Sequence, residues 1–285
     1  MRHLILLLTL AAFAHAAVTP EQADQIRRLL RDGQLAEAAS AAQALVAAQP
    51  ADAEAHAWLG RVRLAQGDGD GAVKATEKAA ALAPSDAGYQ LQLGEAYGLA
   101  AQKAGMFSKI GLGKKVIAAY EKAVALEPGN VDARSSLASV YQMAPGVMGG
   151  GMEKAYAQAA EIRKLDPNRG RVTYAILCIG EKKYAEARAE IEEVLRAQPE
   201  NYAALFQTGR LAALTGEQPD RGAAALLRCL AMPPSPGAPG HDAAHWRLGN
   251  IHEKRGDKAA ARAAYEAALK TNPNFQQAID ALKKL

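Results

Sequence analysis

HAWLGRVRLAQG, residues 56–67, returns near the other end of the chain as HWRLGNIHEKRG, residues 245–256. Both stretches end in a glycine, and a matching glycine stands at Gly33. Counting forward from Gly33, Gly67 and Gly256, an alanine follows five residues later (Ala38, Ala72, Ala261). A proline follows seventeen residues later (Pro50, Pro84, Pro273). Pro128, Pro167, Pro199 and Pro233/Pro234 extend the series, with spacings of 34, 44, 39, 32, about 34 and about 39. A fixed period of this size marks a repeat array, and the basic ruler is 34 residues.

Elementary physics explains the recurrence. Each unit carries two amphipathic segments with apolar residues at i, i+3, i+4 and i+7, the pattern of a helix with one buried stripe. The glycine ends the first helix and accepts the left-handed backbone of the turn. Ala72, Ala79, Ala261 and Ala268 are small enough for paired helices to approach closely, while Tyr97, Tyr120, Tyr141 and Tyr265 fill the wider gaps. The closing proline stops the second helix. One such hairpin cannot bury its own apolar face, so the units must stack.

The motif resembles the tetratricopeptide repeat, W-x2-L-G-x2-Y, then A-x3-F, then P. The last unit reads His245-x2-Leu248-Gly249-x2-His252, then Ala261-x3-Tyr265, then Pro273. Another reads Leu93-Gly94-x2-Tyr97, then Tyr120, Ala123 and Pro128. The resemblance implies an all-α fold, a right-handed α-solenoid of about seven hairpins. Its units are 20–50, 53–84, 87–128, 131–167, 169–199, 202–234 and 241–273, with the first, fifth and sixth degenerate. Residues 274–285, NFQQAIDALKKL from Asn274, read as a capping helix over the last open face.

Composition agrees with such an array. Hydrophobic residues make up 49% of the 285 and aromatics only 5%, so alanine and leucine build the core. A net charge of +4 without a dense Lys/Arg run gives no reason to expect a nucleic-acid partner. MRHLILLLTLAAFAHA, residues 1–16, has Arg2, an apolar run from Leu4 to Phe13 and a terminal Ala-x-Ala. That is the pattern of a cleavable signal peptide cut after Ala16, too short to span a bilayer. No cysteine follows the cut to carry a lipid, so no stable membrane anchor is expected. The expected location is the bacterial periplasm or the outside of the cell. Cys178 and Cys229 lie in apolar stretches of different units, without C-x-x-C spacing, and read as buried thiols rather than a disulfide.

The 44- and 39-residue spacings contain inserted residues where the ruler places the turn between first and second helix. One is KAGMFSKIGLGKK, Lys103–Lys115, with Met106, Phe107 and Ile110 among four lysines. The other is QMAPGVMGGGMEKA, Gln142–Ala155, with Val147, Met148 and Met152 among four glycines. Apolar side chains on loops are costly unless covered, so two readings stand. Either the insertions form a joint surface for a partner, or they cover each other or cap lengthened helices.

The chain offers little chemistry. Gly146 and Gly151 have the glycine spacing of a phosphate loop, but Met152 and Glu153 stand where Lys and Ser/Thr belong. His241, His245 and His252 share a helical face, yet the last two occupy aromatic positions of the repeat and nothing completes a metal set. Ser135, Ser136 and Ser139 lack a nucleophile elbow, and Glu192-Glu193 suits ion pairs better than an acid/base dyad. No catalytic residue, cofactor or metal is expected.

The resemblance places the functional surface on the first helices, lined by Glu54, Arg61, Leu91, Glu95, Ser139, Phe206, Arg210, Trp246 and Asn250. Trp246 and Phe206 are candidate aromatic anchors. A carboxylate clamp of the family's Lys/Asn kind is not matched, because Trp246 precedes Asn250 where that lysine would stand. The expected function is a non-enzymatic scaffold or adaptor for another protein or peptide in the bacterial envelope. Two alternatives stay open: a structural solenoid that self-associates into a homo-oligomer, and a carrier of an acidic polymer or glycan.

Overall fold

The computed structural model describes residues 17–235 and 237–285, so the expected signal peptide lies outside the described residues. All regular structure among them is helical, and the expected all-α repeat solenoid is what forms. The chain divides into two compact units between Pro128 and Gly129. The first holds α1 (Pro20–Arg31) with α2 (Leu35–Ala48), α3 (Ala53–Ala65) with α4 (Gly69–Leu82), and α5 (Ala87–Lys103) with α6 (Met106–Leu126). The second holds α7 (Val131–Met143) with α8 (Met152–Leu165), α9 (Pro167–Gly180) with α10 (Tyr184–Ala197), and α11 (Tyr202–Thr215) with α12 (Pro219–Leu230). It ends with α13 (His241–Lys254), α14 (Lys258–Thr271) and α15 (Gln276–Lys284). Among the described residues no helix is long and apolar enough to cross a membrane.

Within each unit the second helix of a hairpin packs on the first helix of the next, as α2 does on α3 and α12 on α13. First helices also touch one another, α3 on α5 and α11 on α13. The recurring alanines Ala38, Ala72, Ala79, Ala261 and Ala268 are fully buried. Gly33, Gly67 and Gly256 adopt φ of 72°, 69° and 78°, the left-handed turn that ends a first helix. In the fifth hairpin Lys182 takes the same conformation, φ 61°, with a side chain in place.

A second device recurs two residues beyond the closing prolines. Asp52, Asp86, Asn130 and Asn201 each accept a hydrogen bond from the backbone N–H three residues ahead, at 2.9–3.0 Å. Each caps a first helix, a contribution of about 1 kcal/mol apiece. The proline stops one helix and the acid or amide starts the next.

The first insertion is not a loop. The added residues lengthen the hairpin itself, to 17 residues in α5 and 21 in α6, against 12–14 in the other paired helices. Only Ala104 and Gly105 separate the two. The second insertion does leave the helix, through a 3-10 turn at Gly146–Met148. Its glycines have local causes. Gly149 has φ +95°, and a Cβ on Gly150 would meet the Ala144 carbonyl oxygen at 1.9 Å. Gly151 N–H then donates to the Tyr141 carbonyl at 2.8 Å, closing the detour.

Candidate functional site

In the first unit the first helices bring an aromatic ring and charges together. Trp58 of α3 donates its indole N–H to Glu54 Oε1 at 3.2 Å, one turn earlier on the same helix. The Arg61 guanidinium lies over the same ring at 4.9 Å, and Arg27 reaches it from α1 at 5.4 Å. Trp58 itself is almost fully buried, so the two cations cover its ring while Glu54 and Arg61 stay exposed. Tyr89 at the start of α5 belongs to the same neighbourhood. Burial raises its pKa first, and the charges of Asp86, Glu54 and Asp52 add to that rise. The cluster therefore draws on three successive hairpins. Leu91, further along α5, is half-buried and Glu95 is exposed.

The anticipated anchors of the second unit sit differently. Phe206 is not a surface residue: it is 3% exposed and packs in the core with Leu205, Leu226 and Ile251. Its helix is apolar on more than one face because α11 is covered by hairpins on both sides, so an aromatic in the groove register points inward. Trp246 is half-buried, edge-to-face with Phe275 at 6.0 Å, under the segment that leads into α15. Asn250 donates to Tyr265 Oη at 2.9 Å, which ties the hairpin of α13 and α14. Ser139 is exposed on α7, and Arg210 is half-buried on α11 beside α13.

Of the insertion residues, Met106 and Phe107 project from the start of α6, 79% and 89% exposed. Ile110, Met148 and Met152 are half-buried. Val147 and Met143 are exposed, while Lys154 donates to the Gly149 carbonyl at 2.9 Å and lies over the Tyr141 ring. The detour after α7 is thus braced from α8.

The repeat motif marks neither the exposed or half-buried Arg27, Tyr89 and Arg247 nor the buried Trp58. Trp58 stands two residues beyond the motif's aromatic position, so counting the motif passes over it. Arg247 has a signal in the chain: no acidic residue stands three or four positions away on its helix. Among the described residues no group of three or more His, Cys, Asp or Glu is placed to hold a metal ion. His241 is instead engaged with the Met232 carbonyl at 2.8 Å, and burial lowers the pKa of His245. Cys178 and Cys229 are free and buried, in separate parts of the core.

Comparison with known proteins follows this architecture. A tetratricopeptide repeat family model matches residues 23–87, 180–220 and 211–279. The fold is similar to that of a tetratricopeptide repeat protein from Parabacteroides merdae, with a TM-score of 0.66 at 16% identity. That match covers 92% of this chain and 96% of the other. A thermophilic TPR protein of Thermus thermophilus aligns with a TM-score of 0.54 and 21% identity, covering 73% and 98% of the two chains. PilW, a type IV pilus biogenesis factor, aligns with a TM-score of 0.51 and 15% identity, covering 81% and 98%. No curated protein matches in sequence. At these identities the solved structures speak for the fold alone, whereas the family model spans more than half of the residues. The chain belongs to the tetratricopeptide repeat family.

Proposed function

We propose that this chain is a non-enzymatic scaffold that binds another protein or a peptide and acts in the bacterial cell envelope. The Trp58 cluster carries the reading. Side chains of three successive first helices gather there around the buried Trp58 ring, and those that reach the surface include Arg27, Arg61 and Tyr89, of residue types that dominate interface energetics. The exposed Arg61 and Glu54 supply directional contacts, and the buried Trp58 ring they touch fixes where they stand. Members of the family generally mediate protein–protein interactions, which supports the same reading. The envelope location rests on the leader pattern of residues 1–16.

A second reading, self-association, is favoured by one observation. Met106 and Phe107 stand side by side in solvent at the start of α6, where an isolated soluble chain gains nothing from them. A photo-crosslinking residue at Arg61, expressed in the native host, separates the two. The scaffold reading expects a heterologous adduct whose purified partner binds the Arg61→Glu variant at least tenfold more weakly. Adducts of this chain with itself, together with a dimer by light scattering that Phe107→Ser abolishes, would replace it with the second reading. Cell fractionation of the tagged chain tests the location.

A further inference from the structure

We infer that the tip of the α5–α6 hairpin is a membrane-docking element: Met106 and Phe107 enter the interfacial layer of a bilayer whose anionic headgroups meet Lys103, Lys109 and Lys114. This goes beyond the scaffold reading and does not rest on it. The tip projects. α6 runs 21 residues, against 14 at most in the other second helices. At 1.5 Å per residue the excess amounts to roughly 10 Å of extra reach. None of that reach is used in packing, since the last buried residue of α5 is Ala100 and the first of α6 is Val116. Lys103 Nζ donates to the Gly67 carbonyl, in the turn of the neighbouring hairpin, at 3.2 Å. The residues that follow Lys103 therefore stand past that turn.

Phe107 and Met106 are the two most exposed large apolar side chains among the described residues. Ile110 and Lys114 follow Met106 at i+4 and i+8, so a single helical stripe carries apolar groups and a cation together. The charge around them has one sign: from Ala96 to Tyr120 there are four lysines and no Asp or Glu. Lys115 is matched by Glu77 at 3.5 Å. Lys103, Lys109 and Lys114 have no ion-pair partner among the described residues.

That charge selects the occupant. Two copies of the chain meeting at this tip would set unmatched lysines against one another. A soluble polyanion would neutralise the lysines but leave Phe107 in water. An anionic bilayer satisfies both: the ring and the thioether enter the acyl boundary, while the ammonium groups stay at headgroup level on their long stems. Two apolar side chains and three charges give a reversible contact rather than an anchor. No spanning helix is required, and none is present among the described residues.

The native cysteines are buried, so a thiol-reactive environment-sensitive dye on Met106→Cys of the full chain reports the tip alone. Titration with vesicles of phosphatidylcholine mixed equally with phosphatidylglycerol should shift its emission to the blue. Phosphatidylcholine alone should not, and raised salt should reverse the shift. In the labelled chain Phe107→Ser should weaken vesicle binding at least tenfold. Lys109→Glu combined with Lys114→Glu should do the same, because each lysine at an anionic surface is worth about fivefold. Both changes fall on exposed positions and should leave the Tm unchanged. No shift with the anionic vesicles, equal binding to phosphatidylcholine alone, or variants that bind like their parent would overturn the assignment. So would a shift produced by heparin without lipid, or by a dimer seen in light scattering without vesicles. Each of those failures leaves a heterologous crosslink from Arg61 untouched.

Discussion

A Cβ placed on Gly249 would stand 2.3 Å from Cε1 of Tyr265. The same relationship joins Gly94 to Tyr120, at 2.3 Å, and Gly209 to Leu226, at 2.2 Å. The glycine at this position of the repeat, after Leu93, Leu248 or Thr208, is thus the seat on which a bulky side chain of the second helix rests. It fixes the distance between the two helices of a hairpin, and through it the stacking of the units.

Gly249→Ala should therefore destabilise the protein although alanine is the better helix former. Crowding a packed core costs about 1–3 kcal/mol, and the helix preference of alanine returns about 1 kcal/mol. A net loss of up to about 2 kcal/mol in urea unfolding is expected. Gly98 provides the opposite case, since it lies within α5 and nothing stands within 4 Å of its would-be Cβ. Gly98→Ala should stabilise by up to about 1 kcal/mol. Changes of the same sign at both positions would refute the seat model.

Lys182→Gly should stabilise the fifth hairpin. Lys182 holds φ 61° where Gly33, Gly67 and Gly256 hold 69–78°. A residue with a Cβ loses roughly 1–2 kcal/mol in that region, against roughly 0.5–1 kcal/mol of extra chain entropy that glycine surrenders on folding. A gain of about 0.5–1 kcal/mol is the expected balance, and Gly67→Ala should move the other way. Thermal unfolding of the pair measures both, and a lower Tm for Lys182→Gly would count against the strain.

The helical array was readable because its determinants are local and repeated. Gly67, Ala72 and Pro84 act through the turn, the close approach and the stop that each produces within its own hairpin. The caps at Asp52 and Asn201 were equally open to reading, as an acid or amide two residues past a proline. Side-chain direction was harder to read. Phe206 and Trp246 share a register, yet one is core and the other lies under Phe275, because burial there depends on what the neighbouring segment covers. The insertion at Lys103–Lys115 misled for a similar reason: added residues extend a helix as readily as they loop out, and only the break at Ala104–Gly105 distinguishes the two.

The two cysteines should be inert in the native protein. Both are fully buried, Cys178 in α9 and Cys229 in α12. Burial pushes both thiols up, that of Cys229 to about 12. The thiolate is the reactive form, so a thiol titration at pH 8 should find no fast-reacting group in the folded protein and both groups in 8 M urea. Rapid native labelling, or a disulfide recovered under urea, would contradict the packing.

Tyr265 makes the fold sensitive to high pH. Its hydroxyl donates to Glu253 Oε2 at 2.7 Å and accepts from Asn250 Nδ2 at 2.9 Å, on a residue with no exposed surface. Burial first, then the bond to Glu253, pushes its pKa up from the ordinary 10 to about 12. The folded protein therefore holds this proton more tightly than the unfolded chain does. Its contribution is complete below about pH 10, where the unfolded tyrosine is still protonated, and is lost as the pH climbs through about 12. Tyr265→Phe removes both the hydrogen bonds and the titration. The variant should be less stable by about 1 kcal/mol at pH 7, a deficit that holds steady to about pH 9. Between pH 10 and 12 the deficit should shrink, because the wild type loses stability there that the variant no longer has. Tyr202 is also raised to about 12 but is unchanged in both proteins, so the difference between them isolates Tyr265. Urea unfolding at five pH values from 7 to 12 measures it, and a deficit that stays constant or widens above pH 10 would show that the proton on Tyr265 is not held by the fold.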